Sequence, residues 1–307
     1  MKGLIVLISF VIIARIEIFA QCGCSSGQQF LPPMHWLGTA EILTTAKKRL
    51  SFDLIYKYGN GNKTYSGTQQ VSNLVDYDFH LFDFFLNYGV TNYLSLDLIL
   101  NYNFKKLDEY GFTRKGYGFS NLSAGIRYNL YETENSDLVV NAGLGLRAPL
   151  MKLKPIEQYP LVTQPTNGSF GAYAFGLIQY SLFKKLLNLL LFSRFDYNFH
   201  SSINYHFGSA STTSVFASYR FSKALVSMVE FRYSFLARDK YKDTLFPNSG
   251  ANLLYMVPRF TYRMDNISVS PFLELPVYQN FKGEQIGTRF SLGVNFNYTL
   301  NLSKRKF

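Results

Sequence analysis

The sequence has little charge and, beyond its first twenty residues, no apolar run long enough for a membrane-spanning helix. Asp, Glu, Lys and Arg make up 17% of the 307 residues, and there are only two cysteines and one tryptophan. The nearest approach to a membrane helix, SFGAYAFGLIQYSLF, has about 15 residues, whereas a helix needs about 20 apolar residues to cross a bilayer. Hydrophobic residues nevertheless account for 47% of the chain. They therefore follow some pattern other than long runs.

That pattern is strict alternation of apolar and polar residues. In YLSLDLILNYNF, Leu94, Leu96 and Leu98 fall on one face of an extended chain, and Ser95 and Asp97 fall on the other. The C-terminal stretch 286–302 shows the same alternation over roughly three times the usual strand length of about 5–6 residues. Successive side chains of a strand point to opposite faces, so each stretch predicts a long strand with one apolar and one polar face.

The strands and their connectors predict a membrane-spanning barrel. About twelve alternating segments occur, at 49–58, 78–88, 92–104, 118–130, 136–148, 169–182, 187–199, 209–221, 224–236, 250–263, 267–277 and 286–302. Short connectors alternate with long ones, as in transmembrane β-barrels with tight periplasmic turns and longer extracellular loops. Lipid provides no hydrogen-bond partners, so a sheet spans it only when closed. We predict an all-β fold: a transmembrane antiparallel up-and-down β-barrel of about 12 strands with a periplasmic N-terminus.

The N-terminus has the features of a secretory signal. Lys2 precedes an apolar run over 3–14 that is too short for a membrane helix, and Ala20 supplies a small residue at the expected cleavage point. An uncleaved anchor is the alternative, which Arg15 and Glu17 disfavour. We therefore expect a signal peptide over 1–20, a periplasmic N-terminal segment over 21–48 and the barrel over 49–307.

The last predicted strand resembles a known assembly signal. In SLGVNFNY a polar residue is followed by glycine two positions on and then by spaced aromatics, at Ser291, Gly293, Phe296 and Tyr298. This is similar to the C-terminal signal of bacterial outer-membrane proteins, which the barrel-assembly machinery recognises. The resemblance covers about 49–307. It implies the outer membrane of a Gram-negative-type bacterium, with the barrel-assembly machinery, outer-membrane lipid and lipopolysaccharide as partners.

The size, the architecture and a first strand of the form RLSFDLIYKYG point to a narrower group. They resemble the porin-like outer-membrane transporters linked to uptake of aromatic and other hydrophobic compounds. That resemblance implies a small-molecule solute as partner. The net charge of +11 suits an exterior that contacts anionic lipopolysaccharide phosphates. We expect no nucleic-acid partner for a secreted barrel.

The polar faces of the predicted strands carry charges of both signs. If the apolar faces meet lipid, the candidate lumen and selectivity residues are Arg127, Arg147, Arg194, Asp196, Glu230, Arg232, Arg259 and Arg289. Two interpretations stay open. Guanidinium–carboxylate pairs can fill a structurally closed lumen, because each guanidinium fork donates two hydrogen bonds. Alternatively, the charges form a constriction that selects solutes, with the arginine excess favouring anions.

Passive passage of small solutes through this charged lumen is the expected function, with a structural, closed-lumen barrel as the alternative. An outer-membrane hydrolase is less favoured. The stretch NFHSSINYHFGS offers His200, Ser201, Ser202 and His206. Outer-membrane phospholipase A, also a twelve-strand barrel, carries a His-x-Ser-Asn-Gly motif, but here Ile203 follows the serine. We therefore expect no enzymatic activity.

The two cysteines lie in QCGCSSGQQFLPPMHW, before the predicted barrel. Cys22 and Cys24, with Met34 and His35 nearby, are a candidate soft-metal site for Cu(I) or Zn(II). Two other interpretations stay open, namely a disulfide or free thiols, and acylation of Cys22. We expect no other cofactor.

Overall fold

The described part of the chain is built almost entirely of β-strands. The computed structural model describes residues 47–72, 75–109, 111–156, 158–183 and 185–302. The strands are β1 (Arg49–Gly61), β2 (Lys63–Gly67), β3 (Gln69–Ser72), β4 (Val75–Gly89), β5 (Leu94–Glu109), β6 (Phe112–Glu132), β7 (Leu138–Pro149), β8 (Gly171–Leu182), β9 (Leu187–Asn198), β10 (Tyr205–His206), β11 (Ala210–Arg220), β12 (Leu225–Leu236), β13 (Lys240–Tyr241), β14 (Thr244–Leu245), β15 (Ala251–Met264), β16 (Ile267–Gly287) and β17 (Phe290–Asn301). A 3-10 turn, Leu161–Thr163, lies between β7 and β8. No helix of the described residues is long and apolar enough to cross a membrane.

Twelve long strands close into one barrel. They are β1, β4 to β9, β11, β12 and β15 to β17, and each pairs antiparallel with its neighbours along the chain. The first strand also pairs with the last, from Arg49 opposite Asn301 to Asn60 opposite Phe290. This pairing leaves no free edge among the twelve strands. The predicted fold, an antiparallel up-and-down barrel of twelve strands, is therefore confirmed.

The two faces of each barrel strand have opposite chemistry. On β7, Leu144 and Leu146 point outward and are 58% and 68% exposed, whereas Val139, Asn141 and Arg147 point inward and are buried. The same alternation places most exposed large apolar side chains on the outside of the barrel. An outward apolar band flanked by aromatic side chains is the exterior that lipid requires.

Tight turns join the strands at one end of the barrel, which we call the short-turn end. Hydroxyl side chains fix three of these turns by accepting backbone N–H groups across them. The N–H groups of Leu94, Leu138 and Leu225 donate to Thr91 Oγ1, Thr133 Oγ1 and Ser222 Oγ at 2.9, 3.1 and 3.0 Å. Thr and Ser favour such turns because their hydroxyls replace a backbone acceptor. The opposite end is the long-loop end.

Two of the predicted connectors at the long-loop end are wrong. The expected connector 278–285 belongs to β16, which runs to Gly287, so the last strand begins at Phe290 and not at Ile286. The expected connector 105–117 is likewise a hairpin made by the ends of β5 and β6. Both extensions lie beyond the apolar band, where the end of β16 pairs with β15 and β2, and the ends of β5 and β6 pair with each other. There the alternation weakens, although the backbone pairing continues.

The facing of β7 provides a direct test of membrane insertion. Leu144→Asp places a carboxylate in lipid, and we expect a loss of about 1–3 kcal/mol in stability or failure to assemble. Asn141→Asp on the same strand points into the barrel beside Arg127 and should be tolerated. Urea unfolding in detergent or lipid measures both variants. Equal tolerance of the two would show that the facing is wrong.

Candidate functional site

The barrel interior is the candidate site, because charged side chains from most strands meet there. One pair joins neighbouring strands near the short-turn end. Arg127 on β6 donates from one nitrogen to both carboxylate oxygens of Asp97 on β5, at 2.6 and 2.7 Å. Asn87 of β4 donates to the same carboxylate. Both members of the ion pair are at most 6% exposed, so the pair is largely removed from water and each charge is balanced by the other.

A second group lies nearer the long-loop end. Arg194 on β9 donates from Nε and Nη2 to the two oxygens of Asp196, each at 2.7 Å. Arg147 on β7 approaches the same carboxylate at 3.4 Å and donates to Asn198. The Arg194 guanidinium also lies 4.0 Å from the ring centre of Tyr173. A planar, weakly hydrated guanidinium suits both contacts.

A third group crosses the middle of the barrel. Arg232 on β12 contacts Glu230 at 2.8 Å on its own strand and Glu274 on β16 at 3.1 Å. Lys57 on β1 contacts the other oxygen of Glu274 at 3.3 Å. Arg259 on β15 lies near this group, with its guanidinium 5.1 Å from the ring centre of Phe272. Strands far apart in sequence are thus tied together inside the lumen.

Not all of the predicted lumen residues lie inside the barrel. Seven of the eight lie inside the barrel and are buried: Arg127, Arg147, Arg194, Asp196, Glu230, Arg232 and Arg259. The eighth, Arg289, occupies the turn between β16 and β17 and is exposed. Its predicted place in the lumen is therefore wrong, because β16 is longer than expected and shifts that residue out of the barrel. Whether the other seven select a solute stays a prediction.

An apolar cluster also lies inside the barrel, towards the short-turn end. It consists of Phe85, Val139, Leu177, Leu190, Phe192, Phe216 and Met228, each at most 5% exposed, with Ile99 and Phe175 against it. Gly143 leaves room for this packing, because a side chain there would collide with the Phe175 ring. This cluster departs from the expectation that every apolar face meets lipid. The sequence feature that indicates this cluster is LNLLLF at the start of β9, which is apolar on both faces of the strand.

The described part of the long connection, 150–156 and 158–170, folds into the barrel from the long-loop end. Lys105 on β5 is fully buried, and its Nζ donates to the Gln164 carbonyl at 2.7 Å. Asn103 donates to the Pro165 carbonyl at 2.6 Å, and the Tyr77 hydroxyl donates to the Val162 carbonyl at 3.3 Å. Inward-facing side chains of β4 and β5 thus hold this segment, which we call the inner loop.

Two further loops form a small cap at the long-loop end. Strands β10, β13 and β14 make a three-stranded sheet, and Tyr205 and Asp239 are fully buried beneath it. The Asp239 carboxylate accepts hydrogen bonds from the Tyr205 hydroxyl at 2.5 Å and the Gly208 N–H at 2.9 Å. Burial nevertheless raises the pKa of Asp239 to about 8, more than these hydrogen bonds lower it. This carboxyl group is therefore protonated in the closed cap at neutral pH.

The hydrolase candidates do not form a catalytic arrangement. Ser201 Oγ accepts the Tyr205 N–H at 3.1 Å, which makes it part of a turn. His206 Nε2 contacts the Asn198 carbonyl oxygen at 2.7 Å, and its ring stacks on that of His200 with centres 4.6 Å apart. A nucleophile–base pair requires contact between hydroxyl and imidazole. The candidate metal residues Cys22, Cys24, Met34 and His35 lie outside the described residues, within which no group of three or more His, Cys, Asp or Glu side chains is placed to hold a metal.

The fold is that of outer-membrane β-barrel channels. A crystal structure of an outer membrane channel from Pseudomonas putida F1 superposes with a TM-score of 0.69 at 11% identity, covering 88% of this chain and 100% of that chain. The translocator domain of autotransporter NalP from Neisseria meningitidis gives 0.47 at 12% identity, covering 83% and 89%. KdgM porin gives 0.43 at 11% identity, covering 80% and 98%. No protein-family model and no curated protein matches the sequence. The resemblance to outer-membrane barrels is confirmed at the level of the fold.

The buried Asp239 predicts that the cap loosens as the pH rises. A solvated aspartate ionises near pH 4 and the buried one near pH 8, so closing becomes less favourable across that range. We expect the hydrogen-exchange protection of segments 199–209 and 237–250 to fall by about one order of magnitude between pH 6.5 and 8.5. Burial lowers the pKa of His206, so this histidine stays neutral in that window. Protection in Asp239→Asn should not change with pH; an unchanged slope in that variant would contradict the assignment.

Proposed function

We propose that the chain is an outer-membrane channel or transporter for small solutes, which cross passively through the charged lumen. The observation that carries this proposal is the combination of a lipid-compatible exterior with an interior built from paired charges of both signs. A barrel that served only as an anchor gains little from such an interior, because buried ion pairs contribute little net stability compared with apolar packing. We place both ends of the barrel domain on the periplasmic side, since the short turns lie there.

A solute can cross only if part of the protein moves, because side chains and the inner loop fill the interior of the barrel. Arg127, Arg147 and Arg232 are at most 1% exposed, whereas the lining of an open aqueous pore would contact water. Two obstructions lie in series along the barrel, the inner loop towards the long-loop end and the apolar cluster towards the short-turn end. We infer that the inner loop is the movable one, because it is held by a few side-chain contacts and not by sheet pairing.

A closed-lumen structural barrel is the second candidate. It is favoured by the burial of the lumen arginines and by the ion pairs that Arg127, Arg194 and Arg232 make with Asp97, Asp196, Glu230 and Glu274. The two candidates differ in one property. A channel becomes conducting when the inner loop is released, whereas a structural barrel stays closed.

Lys105 and Lys106 provide a matched pair for that test. Lys105 points inward and holds the inner loop, whereas Lys106 points outward and pairs with Asp108. In planar bilayers we expect Lys105→Met to raise the open probability at least about fivefold, since loss of the buried donor leaves the Gln164 carbonyl unsatisfied at a cost of about 1–3 kcal/mol. Lys106→Met should match the wild type. Silence of all three proteins would favour the closed-lumen barrel.

Ion selectivity tests the role of the lumen arginines. In the conducting Lys105→Met background, Arg147→Glu should move the reversal potential in a salt gradient towards cation preference. Arg289→Glu changes charge by the same amount at an exposed turn outside the barrel and serves as the control. Equal reversal potentials for the two variants would count against selection by Arg147.

A further inference from the structure

Within the described residues, Asp83 lacks the ion pair that Asp97, Asp196, Glu230 and Glu274 have inside the barrel. It lies on the inward face of β4, between Leu81 and Phe85 on the same strand. Its neighbours on the adjacent strands are Ile55 on β1 and Asn101 on β5. Asn101 Nδ2 donates a hydrogen bond to its carboxylate at 2.6 Å. Three of these four neighbours are apolar, so the carboxylate has one polar contact in an otherwise apolar surrounding.

No ion pair to Asp83 occurs in the described part of the chain. The carboxylates of Asp97, Asp196, Glu230 and Glu274 each contact a cation within 3.4 Å. The cation nearest to Asp83 in the strand register is Lys57, which lies diagonally across the sheet and is bound to Glu274 instead. An ionised carboxylate in an apolar surrounding is costly unless a counter-charge or water reaches it. A positively charged group that reached Asp83 would therefore stabilise its carboxylate.

The side-chain oxygen of Asn101, next to Asp83, lacks a hydrogen-bond donor in the part of the chain that the structure describes. Asn101 Oδ1 is buried and has no hydrogen-bond partner within the described residues. Because the amide nitrogen of Asn101 donates to Asp83, its oxygen and the Asp83 carboxylate lie on neighbouring strands with their acceptors close together. A buried carbonyl left without a donor costs about 1–3 kcal/mol. One charged and one neutral acceptor together suit a ligand that carries several N–H donors and a positive charge.

The side chains around Asp83 leave some space in the interior that the protein itself does not fill. Asp83, Asn101, Ile99 and Phe175 all face the interior, yet they are only partly buried, whereas most inward residues are fully buried. Ile99 and Phe175 belong to the edge of the apolar cluster, so the same space has an apolar floor. A polar wall and an apolar floor predict an amphipathic occupant.

We propose that this space binds a small primary amine with an apolar or aromatic body. The ammonium group donates hydrogen bonds to the Asp83 carboxylate and to Asn101 Oδ1, and the body packs on Ile99 and Phe175. A carboxylate-bearing analogue is excluded by repulsion from Asp83, and a neutral alcohol leaves that charge unmatched. This inference names a class of solute for the lumen and therefore rests on the proposed transport function. Binding itself needs only the folded barrel.

Direct binding to the purified protein in detergent tests the site. Isothermal titration with phenethylamine should show saturable binding to the wild type, and 2-phenylethanol and phenylacetate should bind at least about tenfold more weakly. Asp83→Asn keeps the shape of the side chain and should lose at least tenfold in phenethylamine affinity. Asp78→Asn, on the outward face of the same strand, should bind as the wild type does. Absence of wild-type binding, or equal affinity in Asp83→Asn, would overturn the proposal.

A second variant separates loss of the site from loss of the fold. Asn101→Ala keeps the carboxylate and removes one acceptor, so phenethylamine should bind several-fold more weakly while the heat-modifiable gel shift of a closed barrel is retained. An affinity equal to that of the wild type would remove Asn101 from the site. Titration does not depend on conduction: binding by a barrel that stays silent in bilayers would reject the transport function alone, and conduction without binding would reject the amine site alone.

Discussion

A strand in the core of a bilayer has no water to satisfy its N–H and C=O groups, and the pairing of β1 with β17 removes the last edge at which such groups would stand open. The rest of the structure depends on this closure. Strands that alternate in direction place their connections at the two ends of the barrel in turn, with the turns fixed by Thr91, Thr133 and Ser222 at one end and the inner loop and the cap at the other. Closure also fixes which face of every strand points inward. A slip of one residue in any pairing would exchange the lipid face with the lumen face.

Closure creates a second problem, which is how to fill the lumen. A twelve-strand barrel is wider than its side chains can span by apolar contact from one wall alone. Here the filling is divided by depth, with an apolar cluster towards the short-turn end, ion-paired groups across the middle and the inner loop towards the long-loop end. The ion pairs join strands that are not direct neighbours, such as Arg232 on β12 and Glu274 on β16, which β15 separates, and they satisfy polar groups that would otherwise be buried without partners. Such an interior is stable where each buried charge has its partner, and removal of one partner destabilises it.

The sequence alone predicted the barrel and most of its strands, because closure in lipid imposes a period of two that is visible in every segment. The same alternation correctly predicted the inward position of seven of the eight lumen residues. Arg289 was misplaced because alternation along a strand predicts which face a residue lies on, and not the residue at which the strand ends. The interior apolar cluster was missed because Leu190 and Phe192 alternate with the equally apolar Leu189 and Leu191, so hydrophobicity could not tell the lumen from lipid. Lys105 and the inner loop were beyond sequence reasoning, since their contact joins segments about sixty residues apart through the barrel interior.

The lumen groups and the external cap are not independent, because one amide connects them. Asn198, at the end of β9, accepts hydrogen bonds from Arg147 and from Asn167 of the inner loop, and it donates to the Gly208 carbonyl at 2.7 Å. The Gly208 N–H in turn donates to Asp239 under the cap. Ionisation of Asp239 therefore acts on the residue that Asn198 holds, and movement of the inner loop acts on Asn198 from the other side. The cap, the inner loop and the Arg147–Asp196 pair thus meet at one side chain, so a change in any of the three acts on the other two through Asn198.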